Sequence, residues 1–283
     1  MITDVSGVLV GHWTDVEART GCTVVVLPEG SVASGEIRGG APATREFALL
    51  DPLRTVANVD AVVLSGGSAF GLAAGTGVAE WLEQQDRGFK TAHGRVPIVV
   101  GMSLYDLGVG DASVRPTASH GRQAADAASS EAGELGAVGA GAGAMVGKWA
   151  GRELATPGGL GGATYRSGDL VVSALIAVNA VGFIDDGSSV ADIGPPAVST
   201  PIDHTNTTIG IIVTNARADK VLCHWLAQSG HDGLARSLLP AHTSADGDAL
   251  VAVATGQVDA DPFHLRLMAQ QAVAAAVRSL RKT

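Results

Sequence analysis

The feature that most constrains this chain is an abrupt change of character between residues 206 and 207. Phe183 to Asn206 is a stretch of 24 residues rich in Pro, Ser, Asp and Gly, with no periodicity. Connections that long inside a compact domain are usually functional or disordered. At Thr207 a β-branched apolar run begins, and Thr208, Ile209, Ile211, Ile212 and Val213 read as a short, fully buried strand. Any fold the chain adopts has to bury that strand and bring the polar connection to its mouth. A threonine there has a stiff side chain. Cleavage of the bond before it would leave an α-amine beside a β-hydroxyl. With an ordinary pKa of about 7.7–8.0, that amine takes the hydroxyl's proton near neutral pH. Thr207 is therefore a candidate N-terminal nucleophile, although Asn-Thr-Thr before a strand is usually just a loop end and the motif alone carries little.

The 283 residues suffice for one large domain with a sizeable core. With 46% hydrophobic and 17% charged residues, the chain is globular. Only 4% is aromatic while 38 residues are glycine, so the core rests on Val, Leu, Ile and Ala with many tight turns. A net charge of −9 argues against nucleic acid and anionic membrane as partners. Cys22 and Cys223 are too few for a disulfide framework, the opening residues do not form a signal peptide, and the longest apolar run, Leu170 to Ile184, is interrupted by Ser173, Asn179 and Gly182. A cytoplasmic protein is expected.

Along the chain, Val59–Leu64 reads as a buried strand that meets Ser65-Gly66-Gly67-Ser68, with Ser68 capping a helix from Ala69 to about Gln85. Val96–Gly101 is a strand leading to Tyr105-Asp106-Leu107, and Ala118 to about Ala132 is a helix. Asp169–Val181 is strand-like. Arg217–Leu239 is a helix stopped by Pro240, Ala249–Ala254 a strand, and Pro262–Arg281 a closing amphipathic helix. Without a regular βαβ rhythm, this order suggests packed sheets with helices outside.

Other motifs carry less. Gly143 to Lys148 fails as a phosphate loop, because Ala142 stands where a glycine is needed and Trp149 follows the lysine. A Gly/Ala strand pair packed closely on a neighbour fits it better. Ser65 to Ser68 lacks the Gly-x-Ser-x-Gly of a nucleophile elbow. His231 and His242 lack metal-ligand spacing and read as structural. Asp246-Gly247-Asp248 is a hairpin turn on spacing alone, but two such carboxylates can also face one site, orienting a hydroxyl and holding an ammonium.

Together these segments resemble the P1 family of N-terminal nucleophile peptidases, which includes D-/L-aminopeptidases, β-peptidyl aminopeptidases and nylon-oligomer hydrolases. The matching pieces run in order over nearly the whole chain: Val62 to Leu72, Val96 to Val99 with Tyr105-Asp106-Leu107, Gly139–Gly147 with Lys148, Gly159 to Gly161, and Val178-Asn179-Ala180. Asn206 to Gly210, His231 to Arg236, and His242 with Asp246-Gly247-Asp248 complete the series. The resemblance implies an α+β fold, an αββα four-layer sandwich of the N-terminal nucleophile type. It also implies a single domain that cuts itself between Asn206 and Thr207 into residues 1–206 and 207–283, and a homo-oligomer, commonly a tetramer.

It further implies an acyl-Thr207 intermediate, Asn179 as oxyanion donor with Tyr105 as a second, and Lys148 near the Thr207 amine. Asp246 and Asp248 match the aspartates of the nylon-oligomer hydrolases, whereas β-peptidyl aminopeptidases carry serine and glutamate there. The expected activity is hydrolysis of small peptides or ω-amino-acid oligomers, with no metal or organic cofactor because nucleophile, base and donors all come from the chain. An acyltransferase of the ornithine-acetyltransferase type and an unprocessed, non-catalytic member remain alternatives.

Overall fold

The computed structural model describes residues 1–187 and 205–281. Its centre is two five-stranded sheets. The first has the order β1-β2-β5-β6-β4, with β1 Leu9–Asp15, β2 Thr20–Val26, β4 Ala43–Arg45, β5 Ala61–Ser65 and β6 Val99–Ser103. The second has the order β7-β8-β9-β10-β3, with β3 Val32–Ile37, β7 Gly159–Ser167, β8 Leu170–Asn179, β9 Thr207–Ala216 and β10 Ala249–Val258. Helices α1 (Ala74–Glu83) and α2 (Ala118–Asp126) cover the outer face of the first sheet. Helices α3 (Lys220–Ala235) and α4 (Pro262–Arg278) cover the outer face of the second.

Three apolar layers hold this αββα stack together. Leu64 and Val100 meet Leu175, Ile209 and Ile211 between the sheets. Ile176, Ile212 and Leu250 pack on Leu226, Leu234 and Val273, and Val24, Val63 and Val99 pack on Val78 and Leu82. Side chains alternate faces along a strand, so Ile211 enters the central layer and its neighbour Ile212 the outer one. Both faces are apolar, which is why β9 is a continuous hydrophobic run with no alternation. The two outer helices of the first sheet meet at glycine, since a Cβ on Gly77 would lie 1.8 Å from the Ala118 carbonyl oxygen. No helix among the described residues is long and apolar enough to cross a membrane.

Several local expectations change. Ser68 does not cap the helix: Gly67 and Ser68 both take left-handed backbone, a 3-10 segment Ser68–Ala73 follows, and α1 begins only at Ala74. The strand expected at Val96–Gly101 is shifted to Val99–Ser103, and α2 ends at Asp126. Within Gly143 to Lys148, Met145–Val146 is a short strand paired antiparallel with Thr156–Pro157, and the preceding Gly139–Gly141 is a 3-10 turn wedged against β2. Asp246-Gly247-Asp248 is no hairpin. Strands β9 and β10 are parallel neighbours joined through α3, so residues 246–248 lead into β10 alongside residue 206. Of the long connection, residues 188–204 lie outside the described residues.

Candidate active site

Register alone brings the candidate residues together. In the antiparallel β8–β9 pair Asn179 stands opposite Thr207. On the other side, β10 runs parallel to β9 with Ala249 beside Ile209, and Asn206 bridges to Asp246. Thr207 is buried between the end of one strand and the approach to another.

The Thr207 hydroxyl donates to the carbonyl oxygen of Asn206, the residue before it. That oxygen also accepts the Gly247 N–H at 2.9 Å. Gly247 is required by space: a Cβ there would lie 2.8 Å from Thr207 Oγ1 and 2.6 Å from the Ala41 carbonyl oxygen. A hydroxyl oxygen, a carbonyl and a donor for any charge that attack on that carbonyl would create thus share one point.

On the β10 flank every aspartate oxygen is engaged. Asp248 Oδ1 accepts the Thr208 N–H at 2.6 Å, and Oδ2 accepts the His242 N–H at 3.2 Å and lies 2.8 Å from His242 Nδ1. His242 Nε2 lies 3.2 Å from the His231 carbonyl oxygen, and the two rings meet edge to face with centroids 4.9 Å apart. Burial pushes His231 down to about 4, so that ring is neutral. Burial also works to lower His242, but the Asp248 hydrogen bond and charge prevail and hold it above the ordinary histidine value. Asp246 Oδ1 accepts the Val181 N–H at 3.1 Å, while Oδ2 accepts the Thr243 N–H at 3.1 Å and the Thr243 hydroxyl at 2.5 Å. Burial, then the neighbouring Asp248 charge, push Asp246 up to about 6.

The β8 flank is different. Lys148 leaves a glycine turn (Gly147, φ +80°) and its Nζ donates to the Asn179 carbonyl at 3.1 Å and to Asn179 Oδ1 at 2.9 Å. Burial brings its pKa down to about 7, against the pull of Asp246 and with some help from Arg152. Asn179 Oδ1 also accepts the Met145 N–H at 3.0 Å. Its Nδ2 donates to the Tyr105 carbonyl at 2.9 Å and to the Thr205 carbonyl at 3.3 Å. In the intact chain, then, the asparagine amide holds the carbonyl one residue before the one that Gly247 holds. Tyr105 lines a pocket of about 270 Å³ with Met145, Lys148, Arg152, Asn179 and Thr205. The loop carrying Tyr105 is anchored by Asp106, which accepts the Thr20 hydroxyl and the Gly67 N–H, each at 2.7 Å.

Asn179, Lys148, Thr207, Asp246 and Asp248, expected from sequence, therefore form one cluster, with Tyr105 at its pocket edge. Sequence reasoning did not find the Gly247 N–H, Arg152 or the tie between His242 and Asp248. The glycine between two aspartates was the one available signal for the first.

The model for peptidase family S58 matches residues 1–282. An uncharacterized aminopeptidase of Mycobacterium leprae is 42% identical, over 92% of this chain and 79% of that protein. A 6-aminohexanoate-oligomer endohydrolase of Paenarthrobacter ureafaciens is 30% identical, over 90% of this chain and 75% of that protein. Among solved structures, a Burkholderia sp. β-aminopeptidase superposes with TM-score 0.74 at 24% identity, covering 98% of this chain and 84% of that one. The L-aminopeptidase D-Ala-esterase/amidase of Ochrobactrum anthropi, an Ntn hydrolase fold variant, does so with TM-score 0.76 at 19% identity and the same coverage.

Proposed function

The chain belongs to peptidase family S58, and we propose that it is a self-processing threonine amidohydrolase, cleaving small peptides or ω-amino-acid oligomers through an acyl-Thr207 intermediate. Membership makes it an amide-bond hydrolase of the aminopeptidase and nylon-oligomer hydrolase kind. The observation that carries the finer reading is the convergence of the Thr207 hydroxyl and the Gly247 N–H on the Asn206 carbonyl.

In the precursor, Thr207 Oγ bonds to the Asn206 carbonyl carbon, and the charge that builds on the oxygen falls on the Gly247 N–H. The carbon–nitrogen bond then breaks, and the hydroxyl's proton ends on the departing Thr207 amine. Water hydrolyses the resulting ester, leaving the Asn206 carboxylate, a free Thr207 hydroxyl and a free α-amine. Residues up to Asn206 must withdraw before a substrate can take their place. That withdrawal removes Thr205 from Asn179 Nδ2, which becomes a second donor beside Gly247.

On an external amide the Thr207 amine takes the hydroxyl's proton and passes it to the leaving amine. The same amine then activates the water that releases the acid. Lys148, when protonated, lowers the pKa of a nearby amine, and burial brings its own pKa down to about 7. Asp248 fixes the first peptide N–H after the nucleophile.

Mass spectrometry after mixing with a slowly hydrolysed activated ester tests the reading. An acyl adduct is expected on the fragment of residues 207–283 and on no other. An adduct elsewhere, or ester hydrolysis that survives Thr207→Ala, refutes it.

A further inference from the structure

The two histidines beside the site are close together and not equivalent. The buried His231 ring has Nε2 2.9 Å from the Glu36 carbonyl oxygen, while its Nδ1 has no hydrogen-bond partner among the described residues. One proton, on Nε2, satisfies that ring. His242 has an acceptor at each nitrogen. Asp248 Oδ2 lies 2.8 Å from Nδ1, and the His231 carbonyl oxygen lies 3.2 Å from Nε2. A neutral imidazole carries one N–H and one bare lone pair. Either tautomer would turn that lone pair on an oxygen, so the ring protonated on both nitrogens is the one that fits. Moving a proton from Nδ1 onto Asp248 gains nothing, because the His242 N–H and the Thr208 N–H both donate to that carboxylate and favour its charged form.

The other charges around the ring leave this pair to itself. Just after β3, Arg38 pairs with Glu36 at 2.8 Å and with Asp232 of α3 at 3.0 Å. The neighbouring His231 ring is neutral, pushed down to about 4 by burial. Asp246 turns its oxygens to Val181 and Thr243. Burial opposes a charge on His242, as Arg38 does, but Asp248 outweighs both. His242 also takes left-handed backbone, φ +55°, which a residue with a Cβ keeps only where its surroundings hold it.

What the pair holds is the tether of the nucleophile. Asp248 Oδ1 accepts the Thr208 N–H at 2.6 Å. Once the bond before Thr207 is cut, that residue is attached to the chain through its carbonyl alone, at the peptide whose N–H Asp248 grips. We propose that His242 is a positioning residue for Thr207: as an imidazolium it keeps Asp248 a carboxylate, and Asp248 fixes the peptide plane from which the nucleophile's hydroxyl and amine project. This role rests on the threonine amidohydrolase reading and adds a residue to it.

Two measurements test it on the self-processed protein. With nitrogen-15 histidine, and with the ring assigned through its own backbone amide, His242 should show both ring nitrogens protonated at pH 7 and His231 only one. An unprotonated nitrogen on His242 at that pH overturns the proposal. The second measurement is kinetic, on the 6-aminohexanoyl and L-alanyl p-nitroanilides. Asparagine tolerates left-handed backbone and can place a neutral donor where Nδ1 stands, so His242→Asn removes the charge and keeps the turn. It should lower kcat by about tenfold, the scale of one hydrogen bond to a charged group, with KM little changed. An unchanged kcat, or a change confined to KM, overturns the positioning role while the amidohydrolase reading stands. The ring measurement needs no variant and decides alone if His242→Asn does not fold. Hydrolysis of neither anilide by parent protein shown by mass to be cleaved overturns the amidohydrolase reading, and the positioning role with it.

Discussion

The two flanks of Thr207 are built on opposite principles. Towards β10 lie two carboxylates, two histidines and a glycine, buried or nearly so, with the carboxylate oxygens tied by N–H and hydroxyl donors. Towards β8 lie a lysine, an asparagine and an arginine around an open pocket of about 270 Å³. The first flank cannot move without losing buried hydrogen bonds, each of which costs about 1–3 kcal/mol when one partner is left unsatisfied. The second can exchange one occupant for another. The proposed function, in which the site cuts its own chain and later accepts a foreign one, needs both: a rigid side to hold the reacting carbonyl and an adaptable side to hold what is attached to it.

That contrast predicts how substitutions should differ. The largest effect is expected on the rigid side, from Gly247→Ala. Its new Cβ would press on Thr207 Oγ1 and the Ala41 carbonyl, so the purified variant should remain uncleaved for hours where the parent is cut. Cleavage at the parental rate would show that the tight contact does not matter. On the pocket side, Asn179→Ala should lower turnover by roughly 10²–10³, as loss of one oxyanion donor does; an unaffected kcat would take it out of the site. Asp248→Asn turns an amide donor towards either the Thr208 N–H or the His242 N–H, both of which need an acceptor. It should cost about 1–3 kcal/mol in urea unfolding, and a neutral result would mean that this flank is less rigid than its hydrogen bonds imply.

The smallest expected effect is a slope. Lys148 has a folded-state pKa of about 7 against an ordinary 10.5. Between those values the unfolded chain holds a proton that the folded chain has lost, so stability rises with pH across pH 7 to 10.5, and the penalty is full below about 7. In the Thr207→Ala background, where one chain unfolds, adding Lys148→Met should flatten the rise in stability between pH 7.5 and 9.5 by up to about 1.4 kcal/mol per pH unit. Parallel pH profiles would place the ammonium in water.

How much of this was legible in the sequence depends on which atoms do the work. Side chains announce themselves: Thr207 stood at the start of an apolar run, and Asn179 ended another. Ordered matches across the chain pointed to the fold. Backbone atoms are anonymous in sequence, so the Gly247 N–H showed only as a glycine between two aspartates, and its spacing imitated a hairpin because a parallel neighbour cannot be inferred from three residues. The capping role of Ser68 failed for a similar reason. Asp106, 39 residues further on, accepts the Gly67 N–H in this left-handed turn, and local propensity cannot anticipate a partner so far along the chain. Arg152 was unremarkable until the fold laid it over Thr205.

The central claim is that Thr207 becomes an amino terminus. N-terminal sequencing of catalytically active material tests it most directly. Two sequences are expected in equal amounts, one from the original start and one reading Thr-Thr-Ile-Gly. Full activity in material that yields only the original start would contradict the account.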